Sequence, residues 1–115
     1  MPHQKYQEII DACNKCAVAC LHCASSCMQE DDVKMLARCI QLDQDCADIC
    51  QMTVRMLARN SDFAERTCRV CAEICGACGD ECRQHEHMDH CRQCAIACFE
   101  CAEFCHKAAV SKATM

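Results

Sequence analysis

Cys13-Asn14-Lys15-Cys16-Ala17-Val18-Ala19-Cys20-Leu21-His22-Cys23-Ala24-Ser25-Ser26-Cys27 is the stretch on which the fold turns. Its five cysteines are separated by 3, 4, 3 and 4 residues. Steps alternating between three and four average 3.5 residues, the period of the inward seam of a helix packed on other helices. The same series returns at Cys68, Cys71, Cys75, Cys78 and Cys82, and again at Cys91, Cys94, Cys98, Cys101 and Cys105. A thinner one runs Cys39, Cys46 and Cys50, with Asp43 where the period assigns another cysteine. These four series use all 18 cysteines of the 115-residue chain. A random scatter would not repeat one helical register three times. The expectation is an all-α, antiparallel, up-down-up-down four-helix bundle with a Cys-lined core, formed as a single domain over residues 1–115.

Between the series lie short polar breaks. Glu30-Asp31-Asp32 separates the first two helices and offers an Asp as N-cap. Asn60-Ser61-Asp62 separates the second and third, and Asp62 with Glu65 fits a capping box. His85-Glu86-His87-Met88-Asp89-His90 makes the third break and is rich in metal-ligand types. The helices are expected at 4–29, 33–59, 63–83 and 88–110. Such short connections make chain neighbours antiparallel.

Antiparallel pairing stacks the inward residues in layers. From one end these are Cys27, Cys39, Cys82 and Cys91; Cys23, Asp43, Cys78 and Cys94; and Cys20, Cys46, Cys75 and Cys98. Below them come Cys16, Cys50, Cys71 and Cys101, then Cys13, Thr53, Cys68 and Cys105. One step beyond the last layer the register reaches Ile9, Leu57, Ala64 and Ala108, an apolar plug. One step beyond the first it reaches Glu30, Leu36, His85 and His87, mostly polar. The pattern describes a tube of thiols with one closed end and one wet mouth.

Composition agrees and excludes other classes. There is no Trp, one Tyr and three Phe, so cysteine stands where Leu, Ile and Phe would normally fill a core. Gly76, Gly79 and Pro2 are the only strong helix breakers. A net charge of −5 without a basic stretch leaves no footprint for nucleic acid. No apolar run approaches the length of a membrane span, and the N-terminus has no signal-sequence pattern. The expected location is the cytosol, where thiols stay reduced.

On one helix, residues three or four apart have Cβ atoms about 5–6 Å apart, too far for a disulfide, which wants about 3.5–4.5 Å. That separation suits a metal ion gripped between two sulfurs. Soft thiolates select Cu(I), Zn(II) or iron–sulfur clusters. Cu(I) is satisfied by two or three thiolates, so a ladder of pairs can hold many ions. Zinc asks for four closed tetrahedral ligands, and the Asp43 and Thr53 layers break that pattern. The reading favours multiple Cu(I) ions per chain, with a zinc or general d10-metal buffer as the rival. An iron–sulfur, ferredoxin-like protein is disfavoured because no CxxCxxC run converges on one compact site. A disulfide framework conflicts with the helical spacing, and a purely structural core would be better built from Leu or Ala.

These CxxC and CxxxC repeats, over nearly the whole chain, resemble the cytosolic copper storage proteins, small Cys-rich four-helix bundles of bacteria. The resemblance implies many Cu(I) ions down the core, the 18 cysteines as primary ligands and assembly as a homotetramer. It also implies His or Met ligands at the open end, here His85, His87 and Met88. Copper would then enter beside His85 and His87. His90, on a flanking position, is less favoured, and His22 and His106 point outward. Partners would be copper ions and a copper chaperone or acceptor protein, with no nucleic acid and no membrane. Outward apolar residues Val18, Leu21, Ile96 and Phe99 suggest the oligomer face. No catalytic constellation competes, so a binding protein is expected, not an enzyme.

Overall fold

A computed structural model describes residues 6–113 of the chain. Four α-helices follow one another: α1 (Gln7–Met28), α2 (Ala37–Ala58), α3 (Ala64–Arg83) and α4 (Asp89–Ala113). The boundaries lie within a few residues of the expected ones, apart from residues 33–36. There the chain makes a 3-10 turn, Val33–Leu36, before α2 begins. The turn carries Leu36 inward, leaving it 3% exposed. The expected start of the first helix at residues 4 and 5 lies outside the described residues.

Sulfur contacts fix the helix directions. Cys27 meets Cys91 at 3.8 Å and Cys13 meets Cys105 at 3.7 Å, so α1 and α4 run antiparallel. Cys39 meets Cys82 at 3.6 Å and Cys50 meets Cys71 at 3.9 Å, which does the same for α2 and α3. Each helix packs on its chain neighbours and α1 closes on α4. Among the described residues the diagonal pairs, α1 with α3 and α2 with α4, stay more than 8 Å apart between Cα atoms. This is the up-down-up-down bundle, with a central strip for the inward side chains.

The α2–α3 turn shows why the chain reverses where it does. Asn60 adopts φ 56, the left-handed region that Asn tolerates better than most residues. Its N–H donates to Leu57 O at 3.1 Å, and the Ser61 N–H donates to Met56 O at 2.9 Å. Together they form the Schellman closure that satisfies the last carbonyls of α2. The expected capping box of Asp62 and Glu65 does not form. Phe63 is the N-cap of α3 and has no side-chain cap bond, while Ser61 Oγ accepts the Phe63 N–H at 3.1 Å. Leaving Asn60, the chain turns so tightly that Ser61 takes the position from which a side chain reaches the backbone. Asp32, likewise, precedes the 3-10 turn without capping it.

All eighteen cysteines are free and buried, none more than 1% exposed. Asp43, Thr53 and Leu57 are equally enclosed. Thr53 satisfies its hydroxyl locally, donating to Ile49 O at 2.7 Å. At the far end Ile9, Leu57 and Ala64 are buried as the register requires. Ala108 is only half-buried there, and Ala109 turns inward beside it.

The two glycines of α3 play different parts. A Cβ on Gly79 would sit 2.8 Å from the Phe99 ring, whereas one on Gly76 would meet nothing within 4 Å. Gly79 therefore lets Phe99 of α4 lie flat on α3, where the Arg83 guanidinium covers it 5.2 Å from the ring centroid. Phe99 is thus half-buried rather than outward, while Val18 (69%), Leu21 (49%) and Ile96 (53%) remain exposed. Gly76→Ala should stabilise the metal-free bundle by up to about 1 kcal/mol through helix propensity. Gly79→Ala should instead destabilise it by about 1 kcal/mol, because overpacking outweighs the same propensity gain. Denaturant midpoints of the two variants check this; equal shifts would mean Phe99 moves aside freely.

Candidate metal site

The layers read from the sequence are physical neighbourhoods. Cys46 and Cys75 lie 3.3 Å apart, and Cys20 and Cys98 lie 3.7 Å apart. Contacts also run between layers: Cys16 meets Cys46 at 3.6 Å and Cys98 at 3.8 Å, and Cys101 meets Cys13 at 3.6 Å. The result is a continuous sulfur column.

Within it several groups of four sulfurs lie mutually within 4.8 Å. They include Cys13, Cys71, Cys101 and Cys105; Cys16, Cys46, Cys50 and Cys75; Cys16, Cys20, Cys46 and Cys98; and Cys20, Cys78, Cys94 and Cys98. The second and third share Cys16 and Cys46, and the third and fourth share Cys20 and Cys98. Shared edges favour ions bridged by common thiolates over isolated closed sites.

Removal from water disfavours the thiolate form throughout the column. Removal from water, with the nearby Cys39, pushes the Cys27 thiol up to about 11. Deeper, hydrogen bonding to Cys16 and Cys20 together with burial holds Cys98 far above the ordinary thiol range. A cation that replaces the proton removes this penalty, so binding must release protons.

Asp43 interrupts the column and is its one carboxyl. Burial first, then the closeness of the ionisable groups Cys94, Cys78 and Cys39, push it up to about 11. Its Oδ1 accepts from Cys78 at 3.2 Å, Cys94 at 3.3 Å and Cys82 at 3.5 Å. Its Oδ2 also accepts from Cys39 at 4.0 Å, so at neutral pH it is a neutral acid bonded to four thiols.

At the mouth the structure brings a different histidine to the sulfurs than the one the register favoured. His90 places Nδ1 3.5 Å from Cys91 Sγ, 3.7 Å from Cys23 Sγ and 3.8 Å from Cys27 Sγ. His85 is buried as its position requires, but its Nε2 bonds Glu81 Oε2 at 2.9 Å. Glu81 in turn lies 3.8 Å from Arg38, tying the start of α2 to the end of α3. His87 is exposed; with His85, Met35 and Met88 it borders an open depression of about 290 Å³. Met28 is 51% exposed, and His22 and His106 face solvent as expected.

The register misled at His87 because the helix breaks between Arg83 and Asp89. Extrapolating from Cys82 still works for His85, three residues on, but stepping back four residues from Cys91 to His87 runs past the start of α4 at Asp89. The usable signal lay on the other side of the break. His90 precedes Cys94 by four residues, so both share one face of α4.

A buried column of thiols capped by an imidazole defines the class: a helical-bundle protein that sequesters soft metal ions. Residues 2–110 match the family model described as copper storage protein. The chain belongs to the copper storage protein family. It is 47% identical over 107 residues to YhjQ, a cysteine-rich protein of Bacillus subtilis strain 168, covering 92% of this chain and 98% of that one. It is similar to the Cu(I)-bound copper storage protein BsCsp3 of Bacillus subtilis, with a TM-score of 0.87 at 45% identity, covering 90% and 97% of the two chains. A cytosolic copper storage protein from Streptomyces lividans carrying five coppers aligns with a TM-score of 0.90 at 38% identity over 95% of each chain.

Proposed function

We propose that this chain stores Cu(I) in the cytosol as bridged thiolate clusters along its bundle axis, with its eighteen cysteines as ligands. The observation that carries the reading is the sharing of sulfurs between successive four-sulfur groups. His90 completes the outermost group with Cys23, Cys27 and Cys91, and His85, His87 and Met88 stand where an arriving ion would first meet the protein. The Streptomyces relative, described as cytosolic, supports the location. The exposed trio Val18, Leu21 and Ile96 supports a homotetramer, and a copper chaperone or acceptor protein would exchange ions at the mouth. The role is binding, without catalysis.

Charge balance indicates how far the column fills. Two private thiolates per ion would accommodate nine ions and leave nine negative charges inside the bundle. Each such charge costs several kcal/mol in a water-poor interior. One ion per thiolate, reached by bridging, leaves the column neutral. Anaerobic titration of reduced protein with Cu(I) against a competing chelator should therefore saturate well above nine ions per chain. Saturation at one or two ions would end the storage reading.

Zinc is the second reading because the spacing admits it. A tetrahedron with Zn–S bonds of about 2.3 Å has edges of about 3.8 Å, and the column holds many contacts near that length, such as Cys20–Cys98 at 3.7 Å. Shared edges count against it, since adjacent closed tetrahedra compete for the same sulfurs. Direct competition between Cu(I) and Zn(II) in the same titration separates the two.

A further inference from the structure

His90 has two faces, and only one of them looks at sulfur. Its Nε2 lies 3.0 Å from Glu30 Oε2, on the turn between α1 and α2, while Nδ1 faces Cys23, Cys27 and Cys91. The His90 side chain is 14% exposed and that of Glu30 is 40% exposed. The contact therefore joins a nearly enclosed ring to a half-open carboxylate sixty residues away.

We propose that Glu30 is a positioning residue for the mouth of the store: it fixes His90 in the tautomer and orientation that present a Nδ1 lone pair to an incoming Cu(I). A neutral imidazole carries one N–H, and a carboxylate can only accept. The N–H is then at Nε2, donated to Glu30, and Nδ1 is left unprotonated toward the three sulfurs. Without Glu30 the ring would be free to carry its proton on Nδ1, where the thiols would accept it and no ligand lone pair would face the ion. Carboxylate-oriented histidines of this kind hold metal more tightly, by about 10–100-fold. Because Glu30 belongs to the α1–α2 turn, the ligand at the head of α4 is set by a residue from the end of the neighbouring helix. The other mouth histidine differs. His85 bonds Glu81, four residues back along the chain, whereas the Glu30–His90 pair reaches from a carboxylate to the sulfurs of the column.

This inference rests on the copper-storage reading for its second measurement but not for its first. In reduced, metal-free protein, nitrogen-15 spectra of the His90 ring should show Nε2 protonated and Nδ1 bare, and Glu30→Ala should shift the ring toward a tautomer mixture. Asp31→Ala, which removes the same charge from the same turn, should leave it unchanged. When Cu(I) is added against a chelator, the His90 nitrogen signal reports occupancy of its own site. Competition followed there should weaken at least tenfold in Glu30→Ala and stay within about twofold in Asp31→Ala. Total capacity should be unchanged in both. The proposal is overturned if the Glu30→Ala ring keeps the wild-type tautomer, or if Asp31→Ala weakens binding equally, which would make the effect one of loop charge. If neither variant nor wild type takes up several ions, the storage reading fails while the tautomer result still stands.

Discussion

Saturated with Cu(I), the protein should keep its helical signal past about 90 °C, whereas the reduced metal-free bundle should melt in the ordinary range of about 45–65 °C. The metal-free core is the weak one, because Cys buries less apolar surface than Leu and the larger core side chains are few: Leu36, Leu57 and the two isoleucines Ile9 and Ile10. Binding then adds stability ion by ion. A ligand present at a thousand times its dissociation constant contributes about 4.1 kcal/mol per independent site. Even a few such sites exceed the whole stability of a typical domain, about 5–15 kcal/mol. The unfolded chain also offers thiols, but scattered ones that cannot share an ion among four helices. Thermal scans by circular dichroism at increasing Cu(I) per chain check the expectation. A loaded protein melting within a few degrees of the metal-free one would mean the ions sit outside the column.

Replacing Asp43 by Asn should stabilise the metal-free bundle by about 4 kcal/mol at pH 7, an increase unusual for a buried polar substitution. In the unfolded chain Asp43 ionises near 3.8, and in the fold it holds its proton to about 11. The folded state therefore binds one more proton between those limits. Its contribution is fully present below pH 3.8 and declines as pH rises toward 11, by about 1.4 kcal/mol per pH unit. Asn keeps an oxygen for the thiols of Cys78, Cys82 and Cys94 and needs no proton. Wild type should thus lose stability steadily from pH 5 to about 8, below the thiol range, and the Asn variant should lose less by the slope of one proton. Urea unfolding across that window, each protein against itself, measures the difference. Parallel pH profiles would mean water reaches Asp43 and ionises it within the fold.

The helices, their order and the five sulfur layers were legible because the cysteine period is a direct trace of the inward face. Turning any one helix out of register would expose its whole run of cysteines at once, so the pattern constrains itself. What escaped lies where periodicity stops. Residues 33–36 carry no cysteine to report their winding, and the chain uses the freedom for a 3-10 turn that buries Leu36. The capping residues of α3 were misassigned because Asp62 has the right chemistry while Ser61 has the right position after Asn60. Phe99 read as outward, since a glycine on a neighbouring helix is invisible to a one-helix pattern. His90 was undervalued for a similar reason. Its partners Cys23, Cys27 and Glu30 all come from α1 and the turn that follows it, and only the folded chain brings them together.

Ile9, Leu57 and Ala64 close the end of the column opposite His90. A vessel with a single opening imposes a chronology on its contents. On the reading proposed above, ions migrating inward along the shared sulfurs would settle beside Cys13 and Cys105, and later arrivals would rest above them near Cys27 and Cys91. Withdrawal would then run in reverse, newest first, and the oldest copper would be the least exchangeable. A cell feeding such a molecule would hold two populations in one fold: a shallow layer in quick traffic with acceptors, and a deep reserve that moves only under prolonged scarcity.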